Sequence, residues 1–467
     1  MGDQSPNPET PEPKSRPVGG TEYSWCRAVP SGTGNTVLTL LLSKPPQIPV
    51  LQDALIALQN SHPILRSKLH FDATTNTFSF ITPPNPNIQI QQFDLQSSAL
   101  ILQCDENPPV NPHHRILEHE MNKNAWHNPD HPLEEDPDVI FASVYTLSES
   151  SWVVVLRLHT GACDRTAAVA VLRELLELVG GGEVGDDRKE TAVGLAIEDL
   201  IPSGKANKPF WARGLDMLGY SLNSFRLSNL NFVDIDSPRQ SEVVRLQMNI
   251  EETERLVSGC KSRSIKLCGA IAAAGLIAAH SSKELPYDQR EKYAVVTLND
   301  CRPILDPVRS SHHLGFYHSA ILNTHDISGG EEFWDLAKRC YSSFANAKNY
   351  NKHFTDMNDL NFLMCKAIDN PGLTPASSMR TAFISVFEEP VIDESNPMHS
   401  EIGLEDYFGC ASVHGVGPTL AVFDTIRDGG LDCACVYPAP LHSKDQMRKL
   451  IDSMKRILND GVNEAEK

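Results

Sequence analysis

Leu158-His159-Thr160-Gly161-Ala162-Cys163-Asp164-Arg165 is the stretch on which the reading of this chain turns. Before it runs Ser151-Trp152-Val153-Val154-Val155-Leu156-Arg157, a β-branched alternating segment that predicts a strand with one buried face. After it, Val169, Leu172, Leu175, Leu176 and Val179 recur at helical spacing. Asp164 stands where a helix N-cap belongs, since a short carboxylate can accept from the open backbone N–H groups of a first turn. The segment therefore predicts a strand, a sharp turn bearing His and Asp, and a helix.

This turn resembles the His-x-x-x-Asp turn of the chloramphenicol-acetyltransferase-like superfamily. That group includes plant BAHD acyltransferases, peptide-synthetase condensation domains and alcohol acetyltransferases. In it two adjacent histidines precede three residues and an aspartate, and the second histidine is the catalytic base. By that resemblance His159 matches the first histidine, Asp164 matches the aspartate, and Thr160 replaces the second histidine. Other segments follow in the same order. His62-Pro63-Ile64-Leu65-Arg66 resembles the "HPxLR" segment after the first helix, and Ile271 to His280 resembles the alanine-rich helix of the second lobe. Val295 to Arg302 is similar to the strand ending in arginine, and Leu314-Gly315-Phe316-Tyr317 to the "LGNY"-like segment. The BAHD signature Asp-Phe-Gly-Trp-Gly has only a trace in Asp406-Tyr407-Phe408-Gly409-Cys410, so a condensation-domain or alcohol-acetyltransferase-like branch fits better. The resemblance covers most of the chain. It implies an α/β fold of two similar lobes with a channel at their interface.

A chain of 467 residues suits two domains. Residues 1–19, rich in Pro, Ser and acidic groups, read as a disordered tail without a signal-peptide core. The N-terminal lobe is expected at 20–200, a crossover at 201–240 with a helix from Phe210 to Leu222, and the C-terminal lobe at 241–467. Forty-one Lys plus Arg against 60 Asp plus Glu give a net charge of −19, which disfavours nucleic acid and anionic membranes. No apolar run reaches the ~20 residues of a membrane span. Dispersed cysteines without zinc spacing read as free thiols, consistent with a cytoplasmic monomer.

The chemistry of the motif is legible. An acceptor hydroxyl or amine must lose a proton as it attacks a thioester, and an imidazole of pKa ~6.5 suits that task. The Thr160 hydroxyl does not. Side chains alternate along a strand, so His159 is expected to point away from the channel as a hydrogen-bonded core residue, with a displaced base as the alternative. Asp164 is expected to cap the helix and pair with an arginine such as Arg302. Arg165 replaces the glycine that commonly follows the aspartate, and is expected to crowd the turn. His113, His114, His119, His127 and His131 read as a solvated loop; His312, His313, His318 and His414 read as structural or exposed residues, with a replacement base among them as the alternative.

Lys261, Arg263 and Lys266 form the nearest approach to a phosphate-binding cluster, able in a coenzyme-A user to hold nucleotide phosphates. The opposing reading is an ordinary solvated loop. P-loop, Rossmann and Gly-x-Ser-x-Gly signatures are absent. The resemblance thus implies an acyl-CoA-dependent acyltransferase-like enzyme, acting on an alcohol or amine of a small specialised metabolite, with no tightly bound cofactor and no metal. Two alternatives stand beside it: different chemistry on the same scaffold, such as cyclisation, isomerisation or elimination, and a non-catalytic small-molecule-binding protein.

Overall fold

Two strands, β2 (Thr33–Leu42) and β7 (Ser151–His159), form the centre of the first lobe, pairing antiparallel with Asn35 opposite His159. The computed structural model describes residues 12–103, 111–126, 135–209, 227–373, 381–385, 390–393 and 395–464. Around this pair stand β1 (Lys14–Pro17), α1 (Gly20–Ala28), α2 (Ile48–Ser61), β3 (Lys68–Asp72), β4 (Thr77–Thr82), β5 (Ile90–Phe93) and α3 (Leu95–Leu102). Next in the chain come α4 (Pro112–Met121), β6 (Ile140–Ser148) and α5 (Arg165–Val179).

The second half contributes β8 (Gln240–Gln247), α6 (Ile250–Ser262), α7 (Leu267–Ser281), β9 (Glu291–Asp300), β10 (His318–Ile327) and α8 (Phe333–Asn349). It continues through α9 (Lys352–Thr355), α10 (Met357–Asp369), β11 (Thr381–Ser385), α11 (Pro397–Ile402) and β12 (Leu404–Val413). The chain closes with β13 (Leu420–Arg427), β14 (Gly430–Ala439) and α12 (Lys444–Glu464).

The first sheet has the order β12-β2-β7-β6-β5, and the second β10-β9-β11-β13-β14-β8; β1-β4-β3 form a small third sheet. The expectation of one buried face for β7 was too modest, because both faces are covered. Val154, Leu156 and Leu158 pack with Leu55 and Leu58 of α2 and Leu172 and Leu175 of α5. The alternate residues Val153 and Val155 meet Ile116 and Leu117 of α4, together with Val243, Phe423 and Val436 of the second lobe. Period-two alternation thus sorts β7 between a lobe core and the interlobe core.

Three placements differ from expectation. Lys14–Pro17, assigned to the disordered tail, pairs with β4, and Arg16 also forks onto the Glu22 carboxylate of α1 at 2.6 and 2.7 Å. The strand Leu404–Val413, assigned with residues 241–467, pairs with β2 of the first sheet; its Asp406 also binds Arg245 and Arg427 of the second lobe. His113, read as part of a solvated loop, lies buried on α4 with Nε2 2.8 Å from the Thr39 hydroxyl. Long-range pairing decides all three, and no local pattern carries it. His127, His131 and the helix expected from Phe210 to Leu222 lie outside the described residues.

Among the described residues no single helix is long and apolar enough to cross a membrane, and the cysteines are free thiols.

Candidate functional site

β7 ends at His159, a single 3₁₀ turn spans Thr160–Ala162, and α5 starts at Arg165. His159 is wholly buried, with its ring edge-on to Trp126 at 5.3 Å. The backbone N–H of Gly161 donates to its Nδ1 at 3.0 Å. A backbone N–H can only donate, so Nδ1 accepts and the neutral ring carries its proton on Nε2. Burial pushes the imidazole down to about 3. With its lone pair engaged, His159 cannot take a substrate proton, and it does not line the cavity described below. A Cβ at Gly161 would sit 3.1 Å from the His159 ring, tighter than ordinary contact, so a larger residue here would press on that ring.

Thr160 faces the other way, onto a cavity between the lobes. Its hydroxyl donates to the Gly34 carbonyl at 2.5 Å and lies 2.7 Å from the Thr36 hydroxyl. Because the carbonyl can only accept, Thr160 is committed as its donor, and Thr36 supplies the proton between the two hydroxyls. The pair therefore presents acceptor lone pairs and no free proton. An unassisted hydroxyl in this state is neither base nor acid near neutral pH.

Asp164 does structural work on three sides. It caps α5 by accepting from Ala167 N–H at 2.9 Å, accepts from Tyr317 N–H at 2.7 Å, and takes Arg302 in a fork at 2.9 and 3.1 Å. Burial raises its pKa, but the Arg302 charge and these hydrogen bonds outweigh that and hold the carboxyl below its ordinary value. Arg302, also wholly buried, stacks on Tyr317 and contacts Asp300 at 3.1 Å. The expected Asp164–Arg302 contact is present, and it ties the motif turn to the second lobe.

Arg165 does not crowd the turn. Its side chain leaves α5 into the space between the lobes, where the guanidinium donates to the carbonyls of Gly409 on β12 of the first sheet and Asp424 on β13 of the second, and lies 5.5 Å from the Phe423 ring centroid.

The cavity holds about 110 Å³ and has mainly apolar walls. Trp25, Leu38, Val169, Leu172, Phe316, Phe408 and Phe423 supply carbon; Thr36, Thr160, Arg165, Arg427 and Asp432 supply polarity. Among the described residues that line it there is no histidine. His312 instead contacts Glu174 at 3.2 Å, His318 contacts the Thr166 hydroxyl at 3.0 Å, and His414 contacts the Ser241 hydroxyl at 3.0 Å. No group of three or more His, Cys, Asp or Glu among the described residues is arranged to hold a metal ion.

Lys261, Arg263 and Lys266 stand at the α6–α7 junction. Lys261 and Lys266 are exposed, and Arg263 lies over Trp334 at 4.2 Å. None of the three lines the cavity. Thr36 and Trp25 were missed in the sequence. Their only signal was the period-two placement of Thr36 and Leu38 on one face of β2, which does not say that a cavity lies there.

The other quoted motif also forms a buried cluster. His62 Nε2 is 2.7 Å from Glu174 of α5, and Nδ1 is 3.3 Å from Glu190. Burial alone would lower this imidazole, but the two carboxylates raise it to about 9.

No protein-family model matches this sequence, and no curated protein matches it. Solved structures do. A trichothecene 15-O-acetyltransferase from Fusarium sporotrichioides is 12% identical with a TM-score of 0.71, covering 98% of this chain and 99% of its own. Polyketide synthase associated protein 5 from Mycobacterium tuberculosis is 16% identical with a TM-score of 0.68, covering 96% and 98%. The first condensation domain of the calcium-dependent antibiotic synthetase is 15% identical with a TM-score of 0.63, covering 95% of each chain. At these identities the likeness establishes a shared two-lobed fold.

Proposed function

We propose, on the premise that this chain has the chloramphenicol-acetyltransferase-like fold, that it binds a small and largely apolar molecule between its lobes. In this reading it does not transfer acyl groups from coenzyme A by imidazole base catalysis. One observation carries the reading. The position that the resemblance assigns to the base is Thr160, its proton committed to Gly34, and the neighbouring His159 faces away with its lone pair engaged. What persists is a mainly apolar space with a few convergent polar groups, the usual composition of a small-molecule site.

A second reading is acyl-CoA-dependent transfer to an amine or alcohol of a small metabolite. It is favoured by the location of the cavity at the motif turn. Positioning alone retains part of the rate when a general base is lost, an effect of roughly 10²–10⁴.

The test is calorimetry with acetyl-CoA and a longer acyl-CoA, set beside titration with apolar alcohols followed through Trp25 fluorescence. Acyl transfer is assayed in the wild type and in Thr160→His. The expected result is saturable alcohol binding, no acyl-CoA binding, and no turnover in either protein. Micromolar acyl-CoA binding with wild-type turnover would replace the first reading by the second. Absence of binding by every probe would sink both.

A further inference from the structure

We infer that Arg165 is a specificity-determining side chain, a bar across the interlobe space that sets the maximum length of the bound molecule. The inference rests on the binding function proposed above and assigns a residue to its size limit.

The argument begins at α5. Arg165 is the first residue of that helix, directly after the Asp164 cap. A cation at a helix N-terminus faces the positive end of the backbone dipole, so helix formation gives no reason for an arginine there. Solvation gives little either, because this side chain is largely covered and lines the interlobe cavity. Its guanidinium is instead fixed between β12 of the first sheet and β13 of the second. Nη1 donates to the Gly409 carbonyl at 3.4 Å, Nη2 donates to the Asp424 carbonyl, and the plane lies near the Phe423 ring. A planar fork held by two carbonyls and an aromatic face is well ordered for so long a side chain. The side chain thus runs from the first lobe to the second through the space in which a ligand would lie. It occupies volume there that a smaller residue would leave open, and the remaining cavity is about 110 Å³.

Such a bar has a measurable signature in a homologous series. Each methylene buried in an apolar site gains roughly fourfold in affinity, until the chain meets an obstacle. Straight-chain primary alcohols from butanol to dodecanol serve as the probes, with Trp25 fluorescence and calorimetry as readouts. Wild-type affinity is expected to climb with chain length and then stop. In Arg165→Ala the stop moves to alcohols longer by about three methylenes, the volume of the deleted stem and guanidinium at close-packed density. Arg165→Met, which keeps an unbranched stem of similar length without the charge, stays within about one methylene of the wild-type limit. Should the alanine variant not fold, Arg165→Ser removes the same volume and takes its place.

An unchanged limit in a folded small-residue variant would overturn the size-limiting role and leave the binding function standing. An equal shift in the methionine variant would overturn it as well, since charge rather than bulk would then set the limit. If no alcohol binds the wild type or any variant, the binding function falls, and this inference falls with it.

Discussion

His62 and His159 are equally hidden from water, yet they lie in opposite electrostatic surroundings. His62 sits between Glu174 and Glu190, and its imidazole is raised to about 9. His159 meets a backbone N–H and the ring of Trp126, and burial pushes it down to about 3. Burial alone therefore does not decide the charge of a histidine; the partners do. Both residues belong to motifs that a sequence reader would associate with a site, and neither lines the cavity. One carries a buried ion cluster that binds α5 to the turn after α2. The other holds the tight turn at the end of β7.

The contrast can be broken in three ways. The most severe strips the second region of its ion pair and leaves the first intact. Arg302→Leu abandons the Asp164 carboxylate in a dry environment, and loss of one partner of a buried pair costs about 3–5 kcal/mol. The expected result is a large fall in the thermal midpoint, or no soluble protein, while Arg302→Lys recovers only part of the loss. A thermal midpoint unmoved in Arg302→Leu would mean that the turn does not depend on this pair.

His62→Gln comes next. A group whose folded pKa is raised stabilises the protein fully below its unfolded value of 6.5, and that contribution disappears as pH rises through about 9. The wild type should thus lose on the order of 3 kcal/mol between those limits, and the variant should start lower and show a flatter alkaline limb. Thermal midpoints measured from pH 6 to 10 in both proteins check this, and parallel profiles would refute it.

The smallest effect belongs to His159→Phe, and it has the opposite sign of pH dependence. The unfolded ring takes up a proton below 6.5 that the folded ring refuses until about 3, so acidification destabilises the native state. Relative to neutral pH, removing this group should spare about 2 kcal/mol at pH 5. The check is the difference in acid-limb midpoints between variant and wild type. Affinity for apolar alcohols should meanwhile change by less than about twofold, since the ring lies outside the cavity.

Much of the motif turn was readable before any coordinates. Asp164 as a cap follows from its chemistry and place, and its contact with Arg302 followed from the resemblance. Strand alternation predicted that His159 and Thr160 point opposite ways, and at the end of β7 His159 is buried in the core while Thr160, first in the turn, lines the cavity. The direction taken by Arg165 was not readable, because an arginine after a cap has several rotamers and partners on the distant β12 and β13 select among them. Nor was His62, whose partners lie 112 and 128 residues away. Lys261, Arg263 and Lys266 were weighed as a phosphate cluster against an ordinary solvated loop, and none of the three lines the cavity.

By itself the sequence determined the order of strands and helices, the polar turn between β7 and α5, and the acidic surface. Those properties arise from periodicity, capping and composition, which act over a few neighbouring residues. The tertiary structure alone decided the transfer of β12 into the first sheet and the shape of the cavity. It also decided the passage of Arg165 from one lobe to the other. Each of these brings together groups far apart in the chain, Arg165 and Asp424 being 259 residues apart. Such contacts exist only once the whole chain has closed its loops and excluded water between the lobes.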